Sequence, residues 1–363
     1  MQVIAQLATG DEIIQGDLLN TNSQIIAKTL HEFGFSLGQQ LVVEDNQANI
    51  ATALRYLLTQ HDIVITIGGL GPTSDDLTRF AISDVIQQPL VLDPASWEMI
   101  QQRITRLGYP VTANNRQQAL FPQGAEIFLN LHGTANGCCC QWQNKWIIML
   151  PGPPHECIPL VKNQVITTLT RYCQRVSIYR QRWLLFRVSE SIIADQVTER
   201  LAATPCQVSY RIRYPYLELK LASSNSAILA AACDNLQSLI APHLIGDGSQ
   251  FASEMLRQQT SHYRIYDSAT RGHLQVALVT PKTHAKFQFM TDMANADIII
   301  EGLESYWSGE AVPAYNLTII IHHQQHHLSI PNREELTLTS AIEYICKAIL
   351  QAEPHVKDPI QYL

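Results

Sequence analysis

The sequence lacks the features that mark several broad classes of protein. No apolar run approaches the roughly 18–20 residues of a membrane-spanning helix, and the N-terminal MQVIAQLATG lacks the basic segment of a signal peptide. Acidic residues outnumber basic ones, 32 to 25, which argues against a nucleic-acid or anionic-membrane partner. Neither GxGxxG nor a P-loop pattern occurs, which argues against dinucleotide oxidoreductases and P-loop enzymes. We therefore expect a small-molecule substrate.

The cysteines also lack a pattern. The eight residues include no CxxC pair and nothing typical of a disulfide framework. Cys138–Cys140 are consecutive and are interpreted as buried small hydrophobes. Free thiols and the missing signal peptide predict a cytoplasmic protein. The 363 residues, 46% of them hydrophobic, are enough for two or three domains of about 100–200 residues each.

The functional prediction depends most on the segment IVITIGGLGPTSDDLT, which begins at residue 63. Ile63–Ile67 predicts a buried strand, and the glycines that follow break it. Thr73 and Ser74 are then placed to cap a helix whose first turn carries Asp75 and Asp76. Free backbone N–H groups at such a turn suit a phosphate, and paired acids suit one that arrives with a divalent cation. The alternative is a Gly-Pro turn with two ordinary first-turn helix acids.

Strand and helix patterns alternate around this segment. Strands are predicted at Gln2–Leu7 and Leu37–Val43, and helices at Ser23–Phe33 and Asn46–Leu58. This β-α-β-α-β-α order predicts a three-layer α/β domain with a mostly parallel sheet. In such sheets ligands bind at the carboxyl ends of the strands. The turn at Gly10, Asp45 and the Gly68 loop all fall there.

Two smaller domains are predicted after this one. The first domain covers residues 1–172. Residues 173–246 have a β-α-β-β-α order, a small α+β unit of KH-like topology, but without the GxxG loop that would support RNA clamping. Residues 247–363 predict a small C-terminal α/β domain, with a strand at Gln275–Thr280. Its HHQQHH segment could bind a transition metal, but we favour a solvated hairpin tip.

Three motifs in this order, GDEIIQGDLLNTN, GGLGPTSDDLT and LPGPPHE, closely resemble the CinA family (competence/damage-inducible protein). The N-terminal half of that family is similar to the MoaB/MogA-type molybdopterin-binding domain. The match covers about residues 1–170, and the middle domain looks like the family's KH-like domain. The resemblance implies a hydrolase that cleaves ADP-ribose to AMP and ribose 5-phosphate with Mg²⁺, Mn²⁺ or Co²⁺, and it allows a monovalent cation. It also implies a homodimer.

The resemblance implies a set of site residues. Asp45 and Asp76 align with the two acids of MoaB/MogA-type sites, so we expect them to ligate the metal or to orient an attacking water. The residues expected to bind phosphate or nucleotide are Gly10, Glu12, Gly16, Asn20, Thr21, Asn22, Gly68, Gly69, Gly71, Thr73, Ser74, Asp75, Asn115, Gln118, Gly133 and Thr134.

Two parts of this set have alternatives. Asn20 and Thr21 could simply cap the first helix. Gln117 stands where the family pattern N-x-K-Q-A has a lysine, which removes a cation from the expected site, although Arg116 can compensate. Arg103 is interpreted as a solvated helix charge.

The C-terminal domain departs more from the family. YDSATRG (Tyr266–Gly272) looks like a worn version of the E-S-C-T-G-G loop of the nicotinamide-mononucleotide deamidase domain, and it retains Ser268 and Thr270. The family's Y-S-N-x-x-K segment has no counterpart, and a serine without a basic partner is a weak nucleophile. We therefore expect a degenerate deamidase-like domain. Three functions stay open: a metal-dependent hydrolase, a non-catalytic molybdopterin- or nucleotide-binding module, and a deamidase at Ser268.

Overall fold

The computed structural model describes residues 3–175 and 177–352 of the chain. The chain divides into two compact units, Met1–Ser177 and Ile178–Leu363. None of the described helices is long and apolar enough to cross a bilayer. All eight cysteines are free, and the three consecutive ones are buried.

Strands and helices alternate in the first unit, as the sequence predicts. In chain order its elements are β1 (Ile4–Thr9), α1 (Asp11–Ile14), α2 (Thr21–Glu32), β2 (Leu37–Val43), α3 (Gln47–Gln60), β3 (Ile63–Ile67), α4 (Thr78–Ile86), β4 (Leu90–Leu92), α5 (Pro94–Arg106), a 3-10 helix (Ala113–Ala119), β5 (Leu120–Pro122), β6 (Glu126–Phe128), β7 (Gly137–Trp142), β8 (Lys145–Leu150), α6 (Pro154–Leu160), a π-helical turn (Val161–Val165) and α7 (Ile166–Tyr172).

The main sheet of this unit has the order β2-β1-β3-β8-β7-β6. The first four strands are parallel, and β7 and β6 are antiparallel, so the prediction of an α/β domain with a mostly parallel sheet is confirmed. Alternate residues of β1 pack on opposite faces: Ile4 and Ala8 with α2 and α7, Ala5 and Leu7 with α3 and α4. Each large apolar side chain buried in these layers contributes about 1.5–3 kcal/mol.

The helix after the glycine-rich loop begins later than predicted. α4 starts at Thr78, and Leu77 precedes it without a side-chain capping bond. Thr73 and Ser74 therefore do not cap this helix, and Asp75 and Asp76 lie in the loop before it. The physical reason is that the Asp76 carboxylate folds back onto the loop's own N–H groups and closes a turn there.

The second unit contains two sheets. Its elements are β9 (Tyr179–Phe186), α8 (Glu190–Arg200), β10 (Gln207–Arg213), β11 (Tyr216–Ser223), α9 (Ser226–Ile240), a 3-10 turn (Ala241–His243), α10 (Ala252–Gln258), β12 (Tyr263–Asp267), α11 (His273–Leu278), β13 (Phe287–Phe289), β14 (Ile298–Gly302), α12 (Glu304–Trp307), β15 (Ala314–Ile321), β16 (Gln324–Pro331) and α13 (Leu336–Ala352).

The two sheets of this unit share a core. β10-β11-β9 is antiparallel, and the second sheet has the order β13-β12-β14-β15-β16. Phe186 of β9 and Tyr216 of β11 belong to the same buried cluster as β12, β14 and α13. This buried cluster therefore contains residues from both sides of the predicted domain boundary at residue 246. The division into three domains and the KH-like resemblance stay predictions.

The predicted strand Gln275–Thr280 is wrong, because residues 273–278 form α11. Leu274 and Leu278, four residues apart, are fully buried, whereas Val276 is 81% exposed, a helical and not an alternating pattern. The Thr270 hydroxyl accepts a hydrogen bond from the Leu274 N–H and so fixes the helix start.

Candidate functional site

The carboxyl ends of β1, β2 and β3 lie side by side. Thr9 pairs with Val43 in the parallel register, and Ala8 pairs with Ile67. The chain therefore leaves three adjacent strands at one edge, into the turn at Gly10, the Asp45 segment and the Gly68 loop. Parallel sheets of this kind bind ligands at that edge.

Asp45 is held by a reciprocal pair of hydrogen bonds with Asp11. The Asp45 N–H donates to Asp11 Oδ1 at 3.0 Å, and the Asp11 N–H donates to Asp45 Oδ2 at 3.2 Å. Partial burial raises the pKa of Asp45, and repulsion from the carboxylates of Asp11 and Glu12 raises it further, while hydrogen bonds from the Asp11 N–H and the Thr9 hydroxyl oppose the shift. Three carboxylates thus approach one another here.

Two buried threonines, which the sequence reasoning did not single out, connect β1 with the glycine loop. Thr9 Oγ1 lies 3.3 Å from Thr78 Oγ1. Gly68 and Gly69 both have positive φ, 100° and 67°, and a methyl group on Gly68 would lie 2.9 Å from Thr9 Oγ1. A methyl group on Gly69 would likewise clash with the side chain of Thr78. Only glycine fits both the backbone and the space.

Asp76 turns toward its own loop. Its carboxylate accepts hydrogen bonds from the Gly71 N–H at 2.6 Å, the Thr73 N–H at 2.8 Å and the Thr73 hydroxyl at 2.5 Å. The N–H groups expected to bind phosphate therefore already hold an anion. Ser74 and Asp75 are exposed, and the Thr73 hydroxyl lowers the pKa of Asp75.

The 3-10 helix supports this loop from the other side. Gln117, at the position where a lysine was expected, donates its amide to the carbonyls of Gly71 and Thr73, both at 3.0 Å. Arg79, 2% exposed, donates to the carbonyls of Leu70 and Gln117. Burial lowers the pKa of Arg79 to about 10, and the charge of Asp76 opposes the shift. A buried cation therefore lies beneath the loop, although the sequence reasoning did not find it.

Amide side chains of the 3-10 helix connect it with the Gly133 turn. The Asn115 amide donates to Gln118 at 3.5 Å, and the Gln118 amide donates to the Thr134 hydroxyl at 3.0 Å. Arg103 donates to Gly133 O at 2.9 Å and to Leu131 O at 3.1 Å. The interpretation of Arg103 as a solvated helix charge is therefore wrong. Its guanidinium can reach this turn because it extends from the last turn of α5.

The first loop lines a cavity of about 310 Å³ beside Gly152. Glu12, Asn20, Thr21 and Asn22 are among the residues that line it. Asn20 also caps α2, because its side chain accepts the Ser23 N–H at 3.1 Å. The Asn22 amide donates to Gly152 O at 2.5 Å, and its buried Oδ1 has no hydrogen-bond partner among the described residues.

Two predicted glycines lie near this cavity but have different roles. Gly16 has a positive φ of 85° and shapes the turn after α1. A methyl group on Gly10 would meet the Glu12 carboxyl group at 2.8 Å. Gly152 in turn approaches Gly68, since a methyl group on it would lie 3.7 Å from Gly68 Cα. The cavity is therefore adjacent to the glycine loop.

The donors at this edge fit a divalent cation in part. Carboxylate oxygens are the ligands that Mg²⁺ and Mn²⁺ prefer, and the carboxylates of Asp11, Glu12 and Asp45 repel one another when no cation lies between them. The Asp76 oxygens, by contrast, are engaged by their own loop. Within residues 3–175 and 177–352, no group of three or more His, Cys, Asp or Glu side chains is arranged to hold a metal.

The loop that holds Ser268 and Thr270 has its hydroxyl groups already hydrogen-bonded within the protein. The Ser268 N–H and hydroxyl both donate to Ile300 O, and the Thr270 hydroxyl bonds to Asp267. His322 and His323 form the exposed tip of the β15–β16 hairpin, both with positive φ, which agrees with the hairpin interpretation.

Comparison with known proteins identifies the first unit. Residues 5–171 match the family described as a probable molybdopterin binding domain. A Clostridium acetobutylicum protein that carries the name competence-damage inducible protein is 41% identical over 166 residues. These residues are 46% of this chain and 40% of that protein. A protein of the same designation from Clostridium kluyveri is 40% identical over 193 residues, 53% of this chain and 47% of that protein.

Solved structures are also similar to this part of the chain. The CinA protein of unknown function from Thermoplasma acidophilum is 31% identical, and the match covers 47% of this chain and 96% of that one with a TM-score of 0.42. The chain spans about half the length of the curated relatives it matches. Residues 5–171 therefore match the probable molybdopterin binding domain, and this part of the chain is similar to the competence-damage inducible proteins.

Proposed function

We propose that the first unit is a metal-dependent hydrolase of a nucleotide pyrophosphate, with ADP-ribose as the substrate and AMP and ribose 5-phosphate as products. The observation that carries the proposal is the convergence at one sheet edge of the Asp45 acid cluster, the Gly68–Asp76 loop and the adjoining 310 Å³ cavity. Phosphoryl-transfer reactions, to which pyrophosphate hydrolysis belongs, combine backbone N–H groups that hold phosphate with carboxylates that hold a divalent cation.

Asp45 is suited to act on water. Pyrophosphate hydrolysis forms a bond from a water oxygen to one phosphorus, breaks the bridging P–O bond, and releases a proton that needs an acceptor. Burial and neighbouring acids raise the pKa of Asp45, which makes it a better base than an exposed aspartate. The alternative role of Asp45 is to hold a divalent cation together with Asp11 or Glu12. Such a cation would neutralise charge on the phosphate oxygens but would lower the pKa of Asp45, so the same carboxylate would not then act as the base.

Asp76 acts in this proposal through the loop. Its carboxylate now holds the N–H groups of Gly71 and Thr73. When it turns away toward a metal, as the family resemblance implies, those donors become free for a phosphate. The buried Arg79 then supplies positive potential behind the loop.

A second candidate function is a non-catalytic molybdopterin- or nucleotide-binding module. The observation that favours it is Gln117, which holds the loop carbonyls but brings no charge to the phosphate. A deamidase at Ser268 ranks last, because the hydroxyl of that serine donates to a backbone carbonyl and not to a base.

The test is direct. The full chain is incubated with ADP-ribose and Mg²⁺, Mn²⁺ or Co²⁺, and AMP is measured by chromatography. We expect AMP from the parent and from Asp234→Asn, an exposed control on α9, but not from Asp76→Ala. Saturable ADP-ribose binding without AMP above the Asp76→Ala level would support the binding module instead. Light scattering of the same sample tests the proposed homodimer.

A further inference from the structure

The second unit contains a cavity of about 520 Å³ that no part of the proposed function uses. It lies between the β9–α8 connection, the β10–β11 hairpin, the β16–α13 connection and the middle of α13. Its volume is within the range of small-molecule sites. We infer that it binds a phosphate-bearing ligand with a planar ring, of the nucleoside monophosphate class. This inference does not depend on hydrolysis in the first unit.

Two arginines at this cavity carry the inference. The Arg187 guanidinium lies 5.1 Å from the ring centroid of Tyr344, and that of Arg333 lies 5.8 Å from the ring centroid of Tyr214. Arg333 Nε also donates to the Tyr214 hydroxyl at 3.3 Å. Neither guanidinium forms an ion pair with a carboxylate of the described residues. Two guanidinium groups that each lie against an aromatic ring can donate paired N–H groups to a phosphate.

The backbone at Arg187 is specialised for this placement. Arg187 has a φ of 58°, a conformation that is uncommon for a residue with a side chain. Its N–H donates to Pro215 O at 3.1 Å, which ties the residue to the β10–β11 hairpin. Strained residues of this kind are found where a side chain must be presented to a ligand.

The remaining walls favour a ring over a bare phosphate. Ile212, 65% exposed, lines the cavity together with Pro215, Leu217 and Pro331. Aliphatic walls of this kind pack against the flat face of a nucleobase by van der Waals contact.

Charge in the neighbourhood is mixed but favours an anion. Glu190 is the acid that lines the cavity beside the two arginines. An adjoining cavity of about 460 Å³ shares Ile212 and Tyr214, and its charged residues are Arg211, Arg213, Arg257, Glu254 and Glu343. The Glu343 carboxylate is already engaged by the Tyr216 hydroxyl at 2.8 Å and the Ser253 N–H at 3.3 Å.

Photolabelling of the full chain with 8-azido-AMP tests the inference, because peptide mapping reports where the label attaches. We expect label on peptides that contain Tyr214 or Tyr344, competed by AMP and competed less by adenosine, which lacks the phosphate. The double variant Arg187→Gln/Arg333→Gln should lower the labelling of these peptides by about tenfold or more at a sub-saturating probe concentration. Arg187→Lys, which keeps the charge, should lose less.

The matched control is Arg55→Gln/Arg106→Gln, which removes two exposed arginines of the first unit and should leave the labelling of Tyr214 and Tyr344 peptides unchanged. Circular dichroism checks that each variant is folded. Label confined to residues 3–175, or cavity label that survives the Arg187/Arg333 double variant, would overturn the inference. Label in the first unit alone would leave the proposed hydrolase intact, so the two proposals can fail separately.

Discussion

The loop from Gly68 to Asp76 and the loop from Asp267 to Gly272 have the same local construction. Each follows a strand with parallel neighbours, β3 and β12, and each leads into a helix. In each, an aspartate carboxylate accepts the N–H and hydroxyl of a threonine in the same loop: Asp76 from Thr73, and Asp267 from Thr270.

Their surroundings differ. Around the second loop, neighbouring residues hydrogen-bond to its polar groups: Trp307 Nε1 donates to Ala269 O, and the Ser268 hydroxyl donates to Ile300 O. Around the first loop the neighbours add charge and space, since Asp45 and Asp11 come from adjacent strand ends and a cavity adjoins. A strand-to-helix turn closed by its own aspartate is therefore a candidate site only when neighbouring strand ends supply the chemistry.

The largest expected effect is that of Asp45→Asn, which tests the difference between the two loops directly. If only the first loop is active, Asp45→Asn should lower AMP formation from ADP-ribose by about 10²–10³-fold, as loss of a key polar group in a catalytic site does, while Ser268→Ala should leave it unchanged. Initial rates at saturating metal measure both. Equal rates for Asp45→Asn and the parent would place the chemistry elsewhere.

Two glycine substitutions compare the packing of the loops. Gly69→Ala combines a positive φ with a clash against Thr78, so we expect the first unit to lose about 3 kcal/mol of unfolding free energy. Gly272→Ala has a φ of 90° but open space around it, so the second unit should lose only about 1–2 kcal/mol.

Hydrogen exchange of the full chain, read on β3 and β12 peptides, measures the two losses separately. If Gly272→Ala loosens β12 more than Gly69→Ala loosens β3, the packing argument is wrong.

The sequence predicted the strands, the helices and the sheet edge of the first unit well, because each has a strong apolar period and glycine or capping residues at its ends. It failed where a side chain reaches across the fold. Nothing local indicates that Asp76 would occupy the loop's N–H groups, that Arg79 would be buried beneath Leu70, or that Arg103 would reach Gly133. The helix α11 was missed because its buried residues, Leu274 and Leu278, are only two.

A smaller effect is expected at Gln117. Gln117→Lys restores the cation that the family resemblance leads one to expect, near the carbonyls of Gly71 and Thr73. We expect kcat/KM for ADP-ribose to rise by up to about tenfold. Gln117→Met, which removes the amide without adding charge, should lower it. A Gln117→Lys enzyme no faster than Gln117→Met would show that Arg79 already supplies the positive potential that the loop needs.

The smallest expected effect is a pH dependence of opposite sign at two aspartates of this edge. The pKa of Asp45 is raised from 3.8 by burial and by Asp11 and Glu12, so the folded state binds this proton more tightly than the unfolded state, and Asp45 costs stability as the pH rises through its folded pKa. The pKa of Asp75 is lowered from 3.8 by the Thr73 hydroxyl, so Asp75 contributes stability above 3.8 that is lost as the pH falls.

Relative to the parent, Asp45→Asn should therefore become more stable as the pH rises from about 3 to 7, and Asp75→Asn less stable. Urea unfolding of both variants across this range, with Asp234→Asn as the baseline, measures the two slopes. If both slopes have the same sign, Asp45 is not held among the other carboxylates in solution. The acid cluster that distinguishes the first loop from the second would then be lost as an argument for catalysis. An Asp45→Asn variant that is inactive and yet more stable at neutral pH would instead show that the fold tolerates this carboxylate at a cost in stability, as residues kept for function do.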